Sequence, residues 1–348
     1  MPALLFAWLV LLTTISQTYA AGMTSSMIKS ADDARLSVIN SSFIVPPDEM
    51  PTPSCHGATL VETASGELMA AWFGGSEEGA QDVRIWGANY RDGQWYPPVQ
   101  LTQSLPDNLD AHWNPVLFHQ DGLLYLHFKV GKSPRSWQGY YQLSTDQGDS
   151  WSAIQAQPPG FLGPIRNKPL ILPGQRTIHP SSTEHQGWHA HLEVHDQQEI
   201  TRVTIADPLR LGAIQPALLH HCNGVIQALC RTRSGVVAQS FSHDRGDSWS
   251  ELKATSLPNP NSAIEAITLR NGQHLLVYNP VVAGRSPLVV ALSDDGQTWH
   301  HQLTLEDGEG EFSYPTVIEG DNGTIHIAYT WQRRAIRHVE LGKQSEAD

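Results

Sequence analysis

The chain has 348 residues and a net charge of −13, which argues against a protein that binds nucleic acid through its charge. It is 40% hydrophobic and 16% charged, which is enough apolar material for a large core and too little charge for a disordered chain. The 28 Gly, 23 Pro and 11 Trp among short apolar runs favour an all-β structure with many turns. No Walker-type loop, GxGxxG turn or paired CxxC occurs, so we expect no nucleotide cofactor and no structural zinc.

The first twenty residues resemble a secretory signal peptide. An apolar stretch over residues 3–12 precedes small residues at plausible cleavage positions, Thr18 and Ala20. The alternative is a short uncleaved membrane anchor. No other segment is long and apolar enough to span a bilayer, so we expect no stable membrane insertion after cleavage. The sequence predicts a signal peptide at 1–20, a linker at 21–35 and a secreted or periplasmic protein.

A short motif, Ser-x-Asp-x-Gly-x-x-Trp, repeats along the chain. It occurs as STDQGDSW (144–151) and SHDRGDSW (242–249), and LSDDGQTW (292–299) keeps Asp294, Gly296 and Trp299. EVHDQQ, around Asp196, and YRDGQW (90–95) are degenerate copies. In such a motif the Asp and Ser side chains bond the amides of a tight turn while the Trp packs between sheets. We therefore expect these Asp-boxes to be structural and not catalytic.

A second pattern precedes the boxes: a polar residue, an apolar strand, a glycine turn and a further apolar strand. The six instances, each with its turn, start at His56 (Gly66), Asn114 (Gly122), His179 (Gly187), Gln215 (Gly224), Glu265 (Gly272) and Tyr314 (Gly323). Six hairpins with boxes between them predict an all-β, six-bladed β-propeller of four-stranded blades over residues 36–342, with a tail at 343–348. We expect residues 36–45 to complete the last blade beside residues 336–341, which removes free sheet edges.

In such a propeller the inner strands start, and their partners end, on one axial face. The predicted strand ends carry Phe73, Lys129, Glu193, Arg231, Asn279 and Trp331. Cations gather at this face despite the negative net charge, namely Lys129, Arg231 and the loop residues Arg135, Arg166, Lys168, Arg233 and Arg285. Together with the amides of Asn114 and Gln215, they predict a pocket for an anionic ligand, a carboxylate above all.

These motifs resemble the sialidase superfamily over nearly the whole mature chain. The segment QPALLHHCNGVIQALCR is similar to the family's fourth blade, and YNPVVAGRSPLVVALSDDG to its fifth. The resemblance implies that Arg231 and Arg285 hold a substrate carboxylate. SYPTVI resembles the family's nucleophile segment and implies that Tyr314 is the nucleophile. It also implies an acid/base in GGSEEGAQDVRIW, where Asp82 is the candidate and Glu77 and Glu78 are competitors.

Two positions depart from the family. His56 stands where the family keeps its first arginine, and a neutral imidazole cannot clamp a carboxylate in a bidentate manner. Gln215 stands where the family has a glutamate, and an amide cannot take the proton from Tyr314. Glu265, at the next strand start, is a candidate to replace that base.

Three functions remain open on the sequence. The first is an exo-acting glycosidase of sialidase type that acts on a terminal acidic sugar. The second is a lyase or glycosidase on uronate-containing glycans, in which His56, His179 or Tyr314 is the base and Arg231, Arg285 or Lys168 neutralises the carboxylate. The third is a non-catalytic propeller that binds carbohydrate on tryptophan platforms, for which the candidates are Trp72, Trp113, Trp137 and Trp331. We expect no metal, because strand alternation is expected to disperse His185, His189, His191 and His195 around a hairpin.

Overall fold

The structure is a computed structural model that describes residues 35–64, 66–105 and 107–343. The strands, in chain order, are β1 (Leu36–Phe43), β2 (Ser54–Glu62), β3 (Leu68–Gly75), β4 (Arg84–Arg91), β5 (Gln94–Trp95), β6 (Val99–Gln100), β7 (His112–Gln120), β8 (Leu123–Val130), β9 (Gln138–Ser144), β10 (Gln155–Ala156), β11 (Leu170–Leu172), β12 (Arg176–Thr183), β13 (His189–Asp196), β14 (Glu199–Thr204), β15 (Ala213–His220), β16 (Ile226–Thr232), β17 (Val236–Ser242), β18 (Lys253–Pro258), β19 (Glu265–Thr268), β20 (His274–Tyr278), β21 (Leu288–Ser293), β22 (His300–Glu306), β23 (Phe312–Glu319), β24 (Ile325–Trp331) and β25 (Ala335–Lys343). Over these residues the chain forms no helix, and so none that could span a membrane. The predicted signal peptide lies outside the described residues, as do nearly all of the predicted linker and tail.

The strands form six sheets, which confirms the predicted six-bladed β-propeller. Blade 1 contains β2 to β6, blade 2 β7 to β10, blade 3 β11 to β14, blade 4 β15 to β18, blade 5 β19 to β22, and blade 6 β23 to β25 together with β1. The first strand pairs antiparallel with the last, from Leu36 opposite Lys343 to Phe43 opposite Arg337. Blade 6 therefore joins the two ends of the described chain.

Apolar side chains alternate along the strands and pack neighbouring blades together. In β3, Phe73 belongs to a core shared with blade 2, whereas Trp72 belongs to a core shared with blade 6. Trp72 is completely buried, so it cannot be the sugar platform considered above.

The Asp-boxes form turns between the third and fourth strands of the blades. In blade 4, Asp244 accepts hydrogen bonds from the Ser248 amide (2.9 Å) and the Ser242 hydroxyl (2.8 Å), and Asp146 makes the same contacts in blade 2. These bonds lower the pKa of both carboxyls to about 2, with the bonds from Ser150 and Ser248 as the largest causes. The boxes lie at the ends of the blades opposite the inner-strand starts. We call this end the Asp-box face and the other the site face.

In blade 5 the Asp-box turn is one residue shorter than the sequence motif predicts. Asp295, and not Asp294, accepts the amides of Gln297 (2.7 Å) and Thr298 (2.6 Å). Ser293 donates its hydroxyl to the same carboxylate at 3.0 Å. Asp294 instead receives a bond from Gln273. The prediction for Asp294 was wrong because the motif spacing was held fixed although the turn had lost a residue.

Blade 3 also differs from the sequence prediction. Its inner strand is the short β11, which is followed by a turn at Gly174 and Gln175. His179 therefore lies in the second strand, Glu193 in the third, and Gly187 in a loop on the site face. The prolines Pro164 and Pro169 interrupt the strand pattern before β11, so the more regular β12 was taken for the inner strand.

Candidate functional site

The site begins at a bulge that several inner strands share. Asn114, Gln215 and Tyr314 have φ of 43°, 54° and 52°, and the register of each strand shifts at that residue. Gly57 has φ 64° at the matching bulge of blade 1. Non-glycine residues in the left-handed region are uncommon and cluster at functional sites. Asn114, Gln215 and Tyr314 thus occupy the bulge position of their strands, whereas His56 occupies the position before the bulge in blade 1. The sequence had predicted equivalent positions for all four residues.

Tyr314 and Arg231 are in direct contact. Arg231 Nη1 donates to the Tyr314 hydroxyl at 2.8 Å and to Gln215 Oε1 at 3.1 Å, while Nη2 donates to Asn261 Oδ1 at 2.7 Å. Gln215 therefore orients the arginine rather than the tyrosine. Tyr314, Arg231 and Gln215, each predicted to lie on the site face, are in contact there, and Asn261 joins them.

A second group of charges lies beside the first. Glu311 bridges Arg285 (2.6 Å) and Arg333 (2.9 Å), and the Ser313 hydroxyl donates to the same carboxylate at 2.7 Å. Burial acts to raise the pKa of Glu311, but the hydrogen bonds and charges of Arg333, Ser313 and Arg285 outweigh it and lower the pKa. Arg333 also pairs with Glu78 from the blade 1 loop. The sequence analysis missed Arg333 and Glu311, although Arg333 lies only two residues after the predicted strand end at Trp331 on this face.

His56 is buried between aromatic rings at the centre of the site. Its ring centre lies 4.0 Å from that of Tyr314 and 5.6 Å from that of Phe73. Burial lowers the pKa of His56 well below its usual value, and the nearby charges of Arg333, Arg285, Arg166 and Arg231 lower it further. The imidazole is therefore neutral at physiological pH. Neither ring nitrogen has a hydrogen-bond partner among the described residues.

Residues 166–168 cross the propeller axis and tie blade 3 to the later blades. Arg166 is buried, and its Nη2 donates to the carbonyls of Tyr314 (2.7 Å) and Pro315 (2.6 Å). Asn167 donates to the carbonyl of Gln215 at 3.1 Å. The guanidinium carbons of Arg166, Arg231 and Arg285 lie 5.6, 5.6 and 5.5 Å from the centre of the Tyr314 ring. Three cations thus surround one tyrosine.

Lys168 and Glu265 lie deeper along the axis. Lys168 Nζ contacts Glu265 at 3.4 Å and donates to the Thr316 hydroxyl at 2.9 Å, while the other Glu265 oxygen accepts the Val317 amide at 2.8 Å. Both side chains line a separate cavity of about 410 Å³ that also reaches His220, at the Asp-box end of β15. Both carboxylate oxygens of Glu265 are engaged there, so the structure gives no contact through which Glu265 could act as base for Tyr314.

Four other candidates have separate surroundings. Lys129 is fully buried and donates to the Pro164 carbonyl, so it is not accessible to a ligand. Arg233 is exposed, and its guanidinium lies 4.4 Å above the Trp188 ring that Arg231 also contacts. Asn114 is buried next to Gly57. Asp82 is exposed and accepts the Ser76 amide (3.0 Å) and hydroxyl (2.9 Å), so in this conformation it fixes its own loop.

The histidines are less dispersed than the sequence argument held. His191, Glu193 and His195 follow every second position of β13 and so share one face, and His179 lies opposite Glu193 in β12. The ligand atoms of His179, Glu193 and His195 lie within 4.8 Å of one another. Glu193, however, already accepts the amides of Leu162 (2.9 Å) and Gly163 (2.7 Å). These bonds account for the buried carboxylate without a metal.

The model of the BNR repeat-like domain family matches residues 66–327, well over half of the chain. The chain therefore belongs to this family, as a divergent, sialidase-like member. No curated protein sequence matches it significantly.

Solved structures show the same fold at low sequence identity. A protein of unknown function from Dyadobacter fermentans is 15% identical, with a TM-score of 0.72 over 89% of this chain and 99% of that one. A Hadza microbial sialidase is 17% identical, with a TM-score of 0.70 over 86% and 68%. An intramolecular trans-sialidase from Ruminococcus gnavus, solved with oseltamivir carboxylate, is 14% identical, with a TM-score of 0.67 over 84% and 95%. At these identities the likeness establishes the fold alone.

Proposed function

We propose that this protein is an exo-acting glycoside hydrolase that removes a terminal acidic sugar from a glycan outside the cytoplasm. The observation that carries the proposal is the 2.8 Å hydrogen bond from Arg231 to the hydroxyl of Tyr314, within a ring of three guanidinium groups. Guanidinium groups recognise carboxylates in a bidentate manner, and a tyrosine beside them is placed to attack the adjacent carbon.

Arg333 supplies the cation that is absent at His56. It projects from the turn between β24 and β25, and Glu311 holds it beside Arg285. We therefore assign the substrate carboxylate to Arg231, Arg285 and Arg333. The four guanidiniums that lower the pKa of His56 provide the positive potential that attracts an anion in a protein of net negative charge.

The chemical step requires activation of Tyr314 and protonation of the leaving oxygen. Gln215 cannot accept a proton, so the phenol proton passes to solvent water as the bond from the Tyr314 oxygen to the anomeric carbon forms and the bond to the leaving oxygen breaks. Arg231 stabilises the negative charge that develops on the phenol oxygen in this step. The acid comes from the 76–82 loop: Asp82, as the family resemblance implies, or Glu78, which already reaches Arg333. The variants Asp82→Asn and Glu78→Gln distinguish the two, because only loss of the acid abolishes turnover of a substrate with a poor leaving group.

A second candidate is a lyase that acts on uronate glycans, and His56 is the observation that favours it. A neutral imidazole without a hydrogen-bond partner, 4.0 Å from the Tyr314 ring, is a base suited to removing the proton α to a carboxylate held by arginines.

Two assays separate the candidates. The first measures release of a fluorogenic group from an aryl α-sialoside, and the second measures the absorbance of an unsaturated uronate product. For the hydrolase we expect signal only in the first assay, and Tyr314→Phe should lower kcat by more than about 10³-fold. Arg245→Ala, an arginine change on the Asp-box face, is the matched control and should leave kcat unchanged. Full activity in Tyr314→Phe, or product only in the second assay, would overturn the hydrolase proposal.

A further inference from the structure

A cavity of about 510 Å³ lies between the outer strands of blade 2 and the loop that joins β12 to β13 in blade 3. Its size is within the range of ordinary ligand pockets. Trp137 and Phe161 supply apolar surface, while Arg135, Glu184 and His185 supply polar groups. The mechanism above uses none of these residues.

Hydrogen bonds fix both walls of this cavity to the blades. On one side, the Trp113 indole donates to the Gly131 carbonyl at 2.7 Å, and the Trp113 ring packs edge-on against Trp137. On the other side, Glu193 accepts the amides of Leu162 and Gly163. A cavity with anchored walls binds a ligand without the entropic cost of ordering loops.

The loop of residues 184–188 forms a wall common to this cavity and to the arginine cluster. Glu184 lines the cavity, and Trp188, at the other end of the loop, packs 5.1 Å from the guanidinium of Arg231. Burial raises the pKa of Glu184, and the charges of Arg231, Arg233 and Arg135 oppose that rise. Glu184 is therefore within electrostatic reach of the arginine that holds Tyr314.

From this arrangement we propose that the cavity binds the sugar unit next to the acidic sugar, so that the preferred ligands are oligosaccharides. A sugar ring presents C–H groups on its faces and hydroxyls at its edge. The cavity offers aromatic surface and hydrogen-bonding groups in the same combination. This inference rests on the proposed function, because the acidic sugar must occupy the arginine cluster for its neighbour to reach the cavity.

Calorimetric titration with two probes that cannot be hydrolysed, the sulfur-linked analogues of methyl α-sialoside and 3′-sialyllactose, tests the proposal. We expect the wild-type protein to bind sialyllactose about 10-fold more tightly or better. Ala156→Trp, which places a large side chain in the cavity from the exposed edge strand β10, should remove that difference and leave the Kd of the methyl sialoside unchanged. Gln155→Trp is the matched control, because strand alternation turns its side chain to the other face, outside the cavity.

The outcomes distinguish the cavity from the proposed function. Equal affinity of the wild-type protein for both probes, or an undiminished difference in Ala156→Trp, overturns the cavity proposal and leaves the arginine site intact. Binding of neither probe overturns both proposals. Arg135 was predicted to belong to the anion pocket, but in the structure it lines this cavity. Arg135→Ala, a truncation at an exposed position, therefore gives a second test and should weaken only sialyllactose.

Discussion

Replacement of Arg231 by alanine should abolish tight binding of an acidic sugar. The side chain is only 5% exposed and makes three hydrogen bonds, to Tyr314, Gln215 and Asn261. Truncating one partner of a buried, hydrogen-bonded charge pair costs about 2–5 kcal/mol of binding free energy. At 1.36 kcal/mol per tenfold, this corresponds to a rise in the Kd of roughly 30-fold to several thousand-fold. Calorimetric titration with the sulfur-linked analogue of methyl α-sialoside, which cannot be hydrolysed, measures this rise in the Kd directly.

Arg231→Ala should lower the free energy of unfolding of the free protein by less than it weakens the binding free energy of the ligand. Without Arg231, the buried oxygen of Gln215 lacks its partner, which costs about 1–3 kcal/mol of unfolding free energy, whereas the exposed Asn261 can bind water instead. Arg231→Lys keeps the charge but not the planar fork, so it should bind more weakly than wild type and better than Arg231→Ala. Arg245→Ala, on the Asp-box face, controls for net charge. If folded Arg231→Ala bound the sialoside within about twofold of wild type, Arg231 would not be the anion-binding group we assign.

Two further predictions concern stability. Burial lowers the pKa of Lys129 to about 7 from 10.5, so between these pH values the unfolded chain binds a proton that the folded protein does not. The free energy of unfolding should therefore rise with pH across this window, by up to about 1.4 kcal/mol per pH unit relative to Lys129→Met. Urea unfolding of both proteins at several pH values measures this difference, and the same pH dependence in both would contradict the prediction. In the blade 5 box, Asp295→Ala removes the bonds from Gln297 and Thr298 and should cost about 1–3 kcal/mol, whereas Asp294→Ala should stay within about 0.5 kcal/mol. Thermal unfolding of the two variants tests whether Asp295 or Asp294 is the carboxylate of the Asp-box. A larger loss of stability in Asp294→Ala would support Asp294, as the sequence motif predicted.

The sequence predicts the features of this protein that depend on local structure. An Asp-box is a turn closed by its own side chains, and a blade hairpin is two apolar runs around a glycine. Both therefore leave a fixed spacing in the chain. Gln215 and Arg231 lie at the two ends of one such hairpin, and in the structure Arg231 Nη1 lies 3.1 Å from Gln215 Oε1. Where a turn lost one residue, as at Asp295, the fixed spacing gave the wrong carboxylate.

The sequence does not predict contacts between blades, because these depend on loops whose paths have no period. Arg166 reaches Tyr314 only because an irregular, proline-flanked segment of blade 3 crosses the axis. Arg333 reaches Glu311 only because a blade 6 turn lies beside the start of β23. Lys129 has the sequence position of a pocket cation, yet the chain around Pro164 covers it. The sequence alone determined the propeller and placed Tyr314 and Arg231 on one axial face. Tertiary structure decided that these two residues are in contact and which further cations surround them, since long-range packing leaves no periodic signal in the chain.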